Sequence, residues 1–92
     1  MELKRVVITG MGIVSCLGND VETVAQSLYD GRSGIILHQE QVDIGMRSHV
    51  AGVPHIDPSE HIDRKHLRFM GDAAAFAYIA MRQAIDDAGL SE

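Results

Sequence analysis

From Ala73 to Met81 every side chain is apolar or aromatic, with no polar face over nine consecutive residues. A helix that is apolar all round belongs between packed layers rather than on a surface. Asp72 is read as its cap. The helix is expected to run over residues 73–88 and to close at Gly89, with Leu90 folding back as in a Schellman end. Its alanines allow neighbouring elements to approach closely. The rest of the chain offers little to cover it: one clear strand, two short ones and one amphipathic helix. The pattern therefore predicts a helix buried on both sides by partners outside these 92 residues. Ser91–Glu92 falls where an α/β protein would begin its next strand, so the chain reads as the first part of something larger, or as one piece of an assembly.

Length and composition narrow the classes. A chain this short buries only about 60–65% of its unfolded surface, and it makes one domain at most. With 46% hydrophobic and 23% charged residues it has the make-up of a folded protein, not a disordered one. Eight basic and thirteen acidic residues give a net charge of −5, which argues against a nucleic-acid partner. The single Cys supports neither an internal disulfide nor a multi-cysteine zinc site. No stretch reaches the ~18–20 apolar residues of a membrane span. The run Val6–Ile8 stops at Thr9–Gly10, too early for a secretory signal. A cytoplasmic protein is the expectation.

Along the chain, Lys4–Thr9 reads as a strand buried on both faces, because Val6, Val7 and Ile8 show no polar alternation. Gly10–Met11–Gly12 ends it, and Ile13–Leu17 continues as an apolar loop. Asn19 or Asp20 caps a helix whose stripe is Val21, Val24, Ala25, Leu28 and Tyr29, closed by Gly31. Short strands are expected at 35–37 and 48–53, with one helical turn at 39–44 stopped by Gly45. Pro54 and Pro58 mark a loop. Asp63 is expected to cap a short helix over 64–70, with Gly71 breaking it.

Several residues invite chemistry. Gly10-Met11-Gly12 between a strand and a helix suggests a dinucleotide site, but the fingerprint requires Gly where Ser15 stands, and the short-chain-dehydrogenase variant requires it at Val14 and Cys16. A tight turn is the simpler reading. Cys16 has no neighbouring His or cation to lower its pKa, so it reads as an inert packing thiol. His38, His49, His55, His61 and His66 include no i, i+4 pair, and no metal site is expected. Arg64, Lys65 and Arg68 hold three of the eight basic residues within five positions. Arg64 and Arg68 share a helix face with Lys65 beside them, and Leu67 and Phe69–Met70 are read as anchors on the other side. Such a cluster is either a solvated face paired to Glu60, Asp63 or Asp72, or a docking patch for an acidic partner.

Four stretches in order, Lys4–Ser15, Leu28–Ile35, Ile62–Met70 and Gln83–Leu90, together resemble the N-terminus of the β-ketoacyl-acyl-carrier-protein synthases, the condensing enzymes of fatty-acid synthesis. Gly45–Val50 and Ile62–Met70 are most similar to the synthase I branch. The resemblance covers essentially the whole chain. It implies an α/β thiolase-like fold of layered helix, sheet, helix, sheet and helix, with 1–92 a segment of the N-terminal domain and no separate second domain. It implies an acyltransferase that joins acyl and malonyl thioesters by decarboxylative Claisen condensation, without a cofactor, usually as a homodimer when full length. The family's nucleophilic Cys and its two His match no position in 1–92, so this segment alone is expected to be catalytically incomplete. One role does carry over: in this family the basic residues at Arg64, Lys65 and Arg68 contact the acidic recognition helix of acyl carrier protein. The alternative from the residues alone is a small non-catalytic module that binds an acidic protein through the same patch.

Overall fold

The structure, a computed structural model, describes residues 2–90. The expected start of a next strand at Ser91–Glu92 lies outside the described residues, as does Met1. The chain is mixed helix and strand. In order it forms α1 (Val21–Asp30), β1 (Ile35–Leu37), α2 (Gln39–Asp43), β2 (Val50–Gly52), a 3-10 turn (Pro58–Glu60), α3 (Arg64–Leu67) and α4 (Asp72–Asp87). None of these helices is long and apolar enough to cross a membrane.

Local signals set the element ends. Asp20 is the N-cap of α1: its Oδ1 accepts from Thr23 N at 2.7 Å and its Oδ2 from the Thr23 hydroxyl at 3.0 Å. Gly31 closes the helix at φ 68°, with Gly31 N donating to Leu28 O and Arg32 N to Ser27 O. A left-handed residue there satisfies carbonyls that the last turn leaves open, and glycine reaches that conformation without a Cβ clash. The same pattern ends α4, where Gly89 N donates to Asp86 O and Leu90 N to Ile85 O. β1 and β2 pair antiparallel with Ile36 opposite Ala51. The start of α4 differs from expectation. Gly71 is the N-cap residue and Asp72 lies inside the first turn, placed to complement the helix dipole rather than to cap. Asp63 likewise precedes α3 without a side-chain cap, and α3 stops at Leu67, the chain continuing in tight turns to Met70.

Asp20 carries a pH prediction. The Thr23 amide, then the Thr23 hydroxyl, stabilise its charged form and hold its carboxyl below the usual range. A depressed folded-state pKa contributes stability that is present above the unfolded pKa and is lost as pH falls through the folded one. In the intact protein, the difference in Tm between the parent and Asp20→Ala is therefore expected to shrink as pH falls from about 5 to about 3. A difference that stays constant across that range would show that the carboxylate charge contributes nothing.

One expectation about packing is corrected. Lys4–Thr9 forms no strand. A strand exists only through a ladder, and no described residue pairs with Val6, Val7 or Ile8, which all lie exposed. The described residues do not enclose α4, in agreement with the expectation that its partners lie outside them. Ala75 and Ile79 are buried against Ile62, with Val14, Ile56, Leu67 and Met70 around them, but Ala73, Ala74, Ala77, Tyr78 and Met81 form an open face. The α1 stripe is open too: Val21, Ala25, Leu28 and Tyr29 are exposed, whereas Ser27 is buried and its hydroxyl donates to Leu17 O at 2.8 Å. The Cα radius of gyration, 16.8 Å, exceeds the roughly 12 Å of a compact domain of this length.

The glycine loop is a helix seat. Side chains built at Gly10 and Gly12 would overlap the carbonyls of Ala84 and Ala80. The loop thus lies flush on the small-residue edge of α4. The turn's amides are occupied from that helix: Met11 N donates to Asp87 Oδ2 and Ile13 N to Gln83 Oε1, each at 3.0 Å. A carboxylate sits where a pyrophosphate would need donors, which argues against the dinucleotide reading. Cys16 is half-buried behind the hairpin, where Cβ atoms at Gly34 and Gly52 would come within 2.7 and 3.0 Å of its Sγ.

Candidate functional site: a basic face on α3

The site is built from an anchored apolar side and a free charged side. Asp57 opens the approach: its Oδ1 accepts from the Ser59 hydroxyl at 2.7 Å and from Ser59 N at 3.0 Å. Those two bonds, with a smaller contribution from nearby His61, hold the Asp57 carboxyl below its ordinary value. Pro58 stands at the first position of the turn, where its missing N–H costs nothing. Ile62 N then donates to Pro58 O at 2.9 Å, and the Ile62 side chain enters the core. Asp63 O accepts from His66 N and Leu67 N, both at 2.9 Å, which starts α3. Leu67 and Met70, three positions apart, pack on Ile62, Ala75 and Ile79.

With that side held, Arg64, Lys65 and Arg68 all face solvent, as the spacing predicted. Pairing to Glu60, Asp63 or Asp72 is not observed. The ion pairs among the described residues are Arg32–Asp30 at 3.2 Å, His38–Glu40 at 3.9 Å and Arg82–Asp86 at 3.9 Å, and none involves the cluster. Three cations therefore stand unneutralised on a chain whose net charge is −5. His66 is exposed beside them. No group of three or more His, Cys, Asp or Glu among the described residues is arranged to hold a metal ion.

Phe69 departs from the expected anchor. It is 80% exposed, and the Arg68 guanidinium lies 4.9 Å from its ring centroid. That is cation–π distance. The signal was present in the spacing: Leu67 and Met70 share a face through i, i+3, and Phe69 falls off it.

Residues 3–92 match the family model described as Beta-ketoacyl synthase, N-terminal domain. Among curated relatives, the chain is 60% identical over 90 residues to 3-oxoacyl-[acyl-carrier-protein] synthase 1 of Haemophilus influenzae, covering 98% of this chain and 22% of the relative. It is 56% identical over 89 residues to synthase 1 of Escherichia coli strain K12, covering 97% and 22% respectively. Similarity to 3-oxoacyl-[acyl-carrier-protein] synthase 2 of Staphylococcus aureus strain COL is lower, 40% over 89 residues, covering 95% and 21%. The chain thus spans little more than a fifth of the length of the relatives it matches.

Proposed function

The chain belongs to the β-ketoacyl synthase family, and from that membership we propose that it is the N-terminal part of a 3-oxoacyl-[acyl-carrier-protein] synthase of type 1. The observation that carries the reading is the end-to-end match at 60% identity to a protein of that name, above the 40% found with a type 2 protein. Residues 1–92 then form one segment of the N-terminal domain, in a thiolase-like α/β fold whose further layers cover the open faces of α1 and α4.

The intact enzyme would condense an acyl thioester with malonyl-acyl-carrier-protein in fatty-acid biosynthesis, in the cytoplasm and as a homodimer. The acyl group passes from the carrier's thioester sulfur to an enzyme Cys and frees the carrier thiol. Malonyl-carrier loses CO₂, and the resulting carbanion attacks the acyl-enzyme carbonyl and expels the Cys thiolate. Departure of CO₂ drives the bond; positioning and an oxyanion hole lower the barrier. None of those groups is assigned to this segment, and Cys16, wedged behind the hairpin, is not the nucleophile.

This segment contributes scaffold and part of the carrier-docking face. Arg64, Lys65 and Arg68 are the residues we assign to the acidic helix of acyl carrier protein; their exposure and lack of an ion pair among the described residues support the assignment. Exposed cations on a net-negative body steer an acidic partner, and salt weakens them over a Debye length of about 8–10 Å. Weak, salt-sensitive docking suits a carrier that must leave after each transfer. Self-sufficient folding as a small binding module is disfavoured by the expanded shape and by a buried apolar core of Ile62, Ala75 and Ile79.

The intact enzyme, given acyl- and malonyl-carrier, is expected to form carrier-bound 3-oxoacyl product. The isolated 92-residue chain is expected to form none and to melt without a sharp transition. Product from the isolated chain would contradict the reading, and a cooperative melt of its monomer would restore the binding-module alternative.

A further inference from the structure

We infer that Phe69 is the apolar centre of the docking face, a specificity-determining contact that meets an apolar side chain on the acidic helix of the carrier. The inference rests on the docking role proposed above for Arg64, Lys65 and Arg68 and goes beyond charge. An aromatic ring 80% exposed sits in the same turn as three unpaired cations, with one of them, Arg68, stacked over it.

The stacking restricts what can cover the ring. Any element laid over Phe69 also desolvates the Arg68 guanidinium, and a buried guanidinium without an acid is strongly unfavourable. An apolar occupant alone is therefore disfavoured on the face that Arg68 covers; an occupant that brings carboxylates to Arg68 and its neighbours and an apolar group to the ring satisfies both. An acidic amphipathic helix supplies both. Aromatic residues flanked by arginine are the usual energetic centres of such contacts, because a ring loses little conformational freedom on binding. Charge then sets the rate of encounter, and the ring discriminates among acidic surfaces that present carboxylates alone.

The test uses the intact enzyme with carrier-borne acyl substrate and, in parallel, a short carrier-free thioester. Phe69→Ala is expected to raise KM for the carrier-borne substrate about tenfold. Activity on the carrier-free thioester and Tm should be unchanged. Phe69→Leu, which keeps an apolar group, should recover most of the loss. The slope of log kcat/KM against log salt should stay at the parent value, since no charge is removed. If Phe69→Ala leaves KM unchanged while reversal of Arg64 and Arg68 raises it, the ring is no part of the interface and the docking reading stands. If neither variant moves KM, the docking reading itself falls. If Phe69→Ala lowers Tm and damages both substrates equally, the ring is covered by the enzyme's own fold and the inference is wrong.

Discussion

Reversing two charges at once, Arg64→Glu with Arg68→Glu, is expected to raise KM for carrier-borne substrate about fiftyfold in the intact enzyme. The size follows from solvent exposure. Each exposed cation facing a carboxylate contributes about 0.5–0.75 kcal/mol, and reversal replaces that attraction with repulsion of similar size. Two positions then give roughly 2–3 kcal/mol, a factor of tens in affinity. Because both side chains are exposed and unpaired, the fold loses nothing that it uses, so Tm should hold. A short carrier-free thioester should be processed at the parent rate. The salt dependence of kcat/KM should flatten, as fewer attractive charges remain to be screened. Equal damage to both substrates would mean misfolding and would remove the support for docking.

The second large effect is on folding. Gly12→Val is expected to destabilise the intact enzyme by about 3 kcal/mol or more. A Cβ there overlaps the Ala80 carbonyl and approaches Gln83 Cβ to 2.7 Å. Backbone stands in the way, so no side-chain rotamer relieves the clash. The loop must lift from α4, which breaks the 3.0 Å bond from Ile13 N to Gln83 Oε1. Loss of soluble expression or a clearly lowered urea midpoint would show it. Gly71→Ala is the control: nothing lies within 4 Å of the added Cβ, and φ is −78°. Similar midpoints for the two variants would mean that the loop does not seat on the helix as described.

What could be read from the residues was what their neighbours in sequence determine. Asp20 and Gly31 bracket α1 because the cap bonds reach only three to five residues. The β1–β2 hairpin, the α2 turn before Gly45 and the Schellman end at Gly89 and Leu90 are equally local. Arg64, Lys65 and Arg68 could be placed on one exposed face because four-residue spacing is enough to do so. Failures occurred where the partner is distant. Val6–Ile8 has strand composition and no described strand beside it. The stripe of α1 has the pattern for burial and nothing described against it, whereas the open outer face of α4 agrees with the expectation that its partners lie outside these residues. Residue pattern says which face an element wants covered, and only a second element decides whether it is. Gly10 and Gly12 were rightly read as a tight turn, but what the turn rests on was not legible: Ala80, Ala84 and Ala88 lie some 70 positions away.

That separation affects how the molecule is made. The bonds from Met11 to Asp87 and from Ile13 to Gln83 span 76 and 70 positions. At ribosomal speeds of about 5–20 residues per second, the loop emerges roughly 4–15 s before the helix it rests on. Throughout that interval the amides of Met11 and Ile13 have only water to donate to. The glycine loop therefore stays hydrated and unfixed until residues 83–87 have been made.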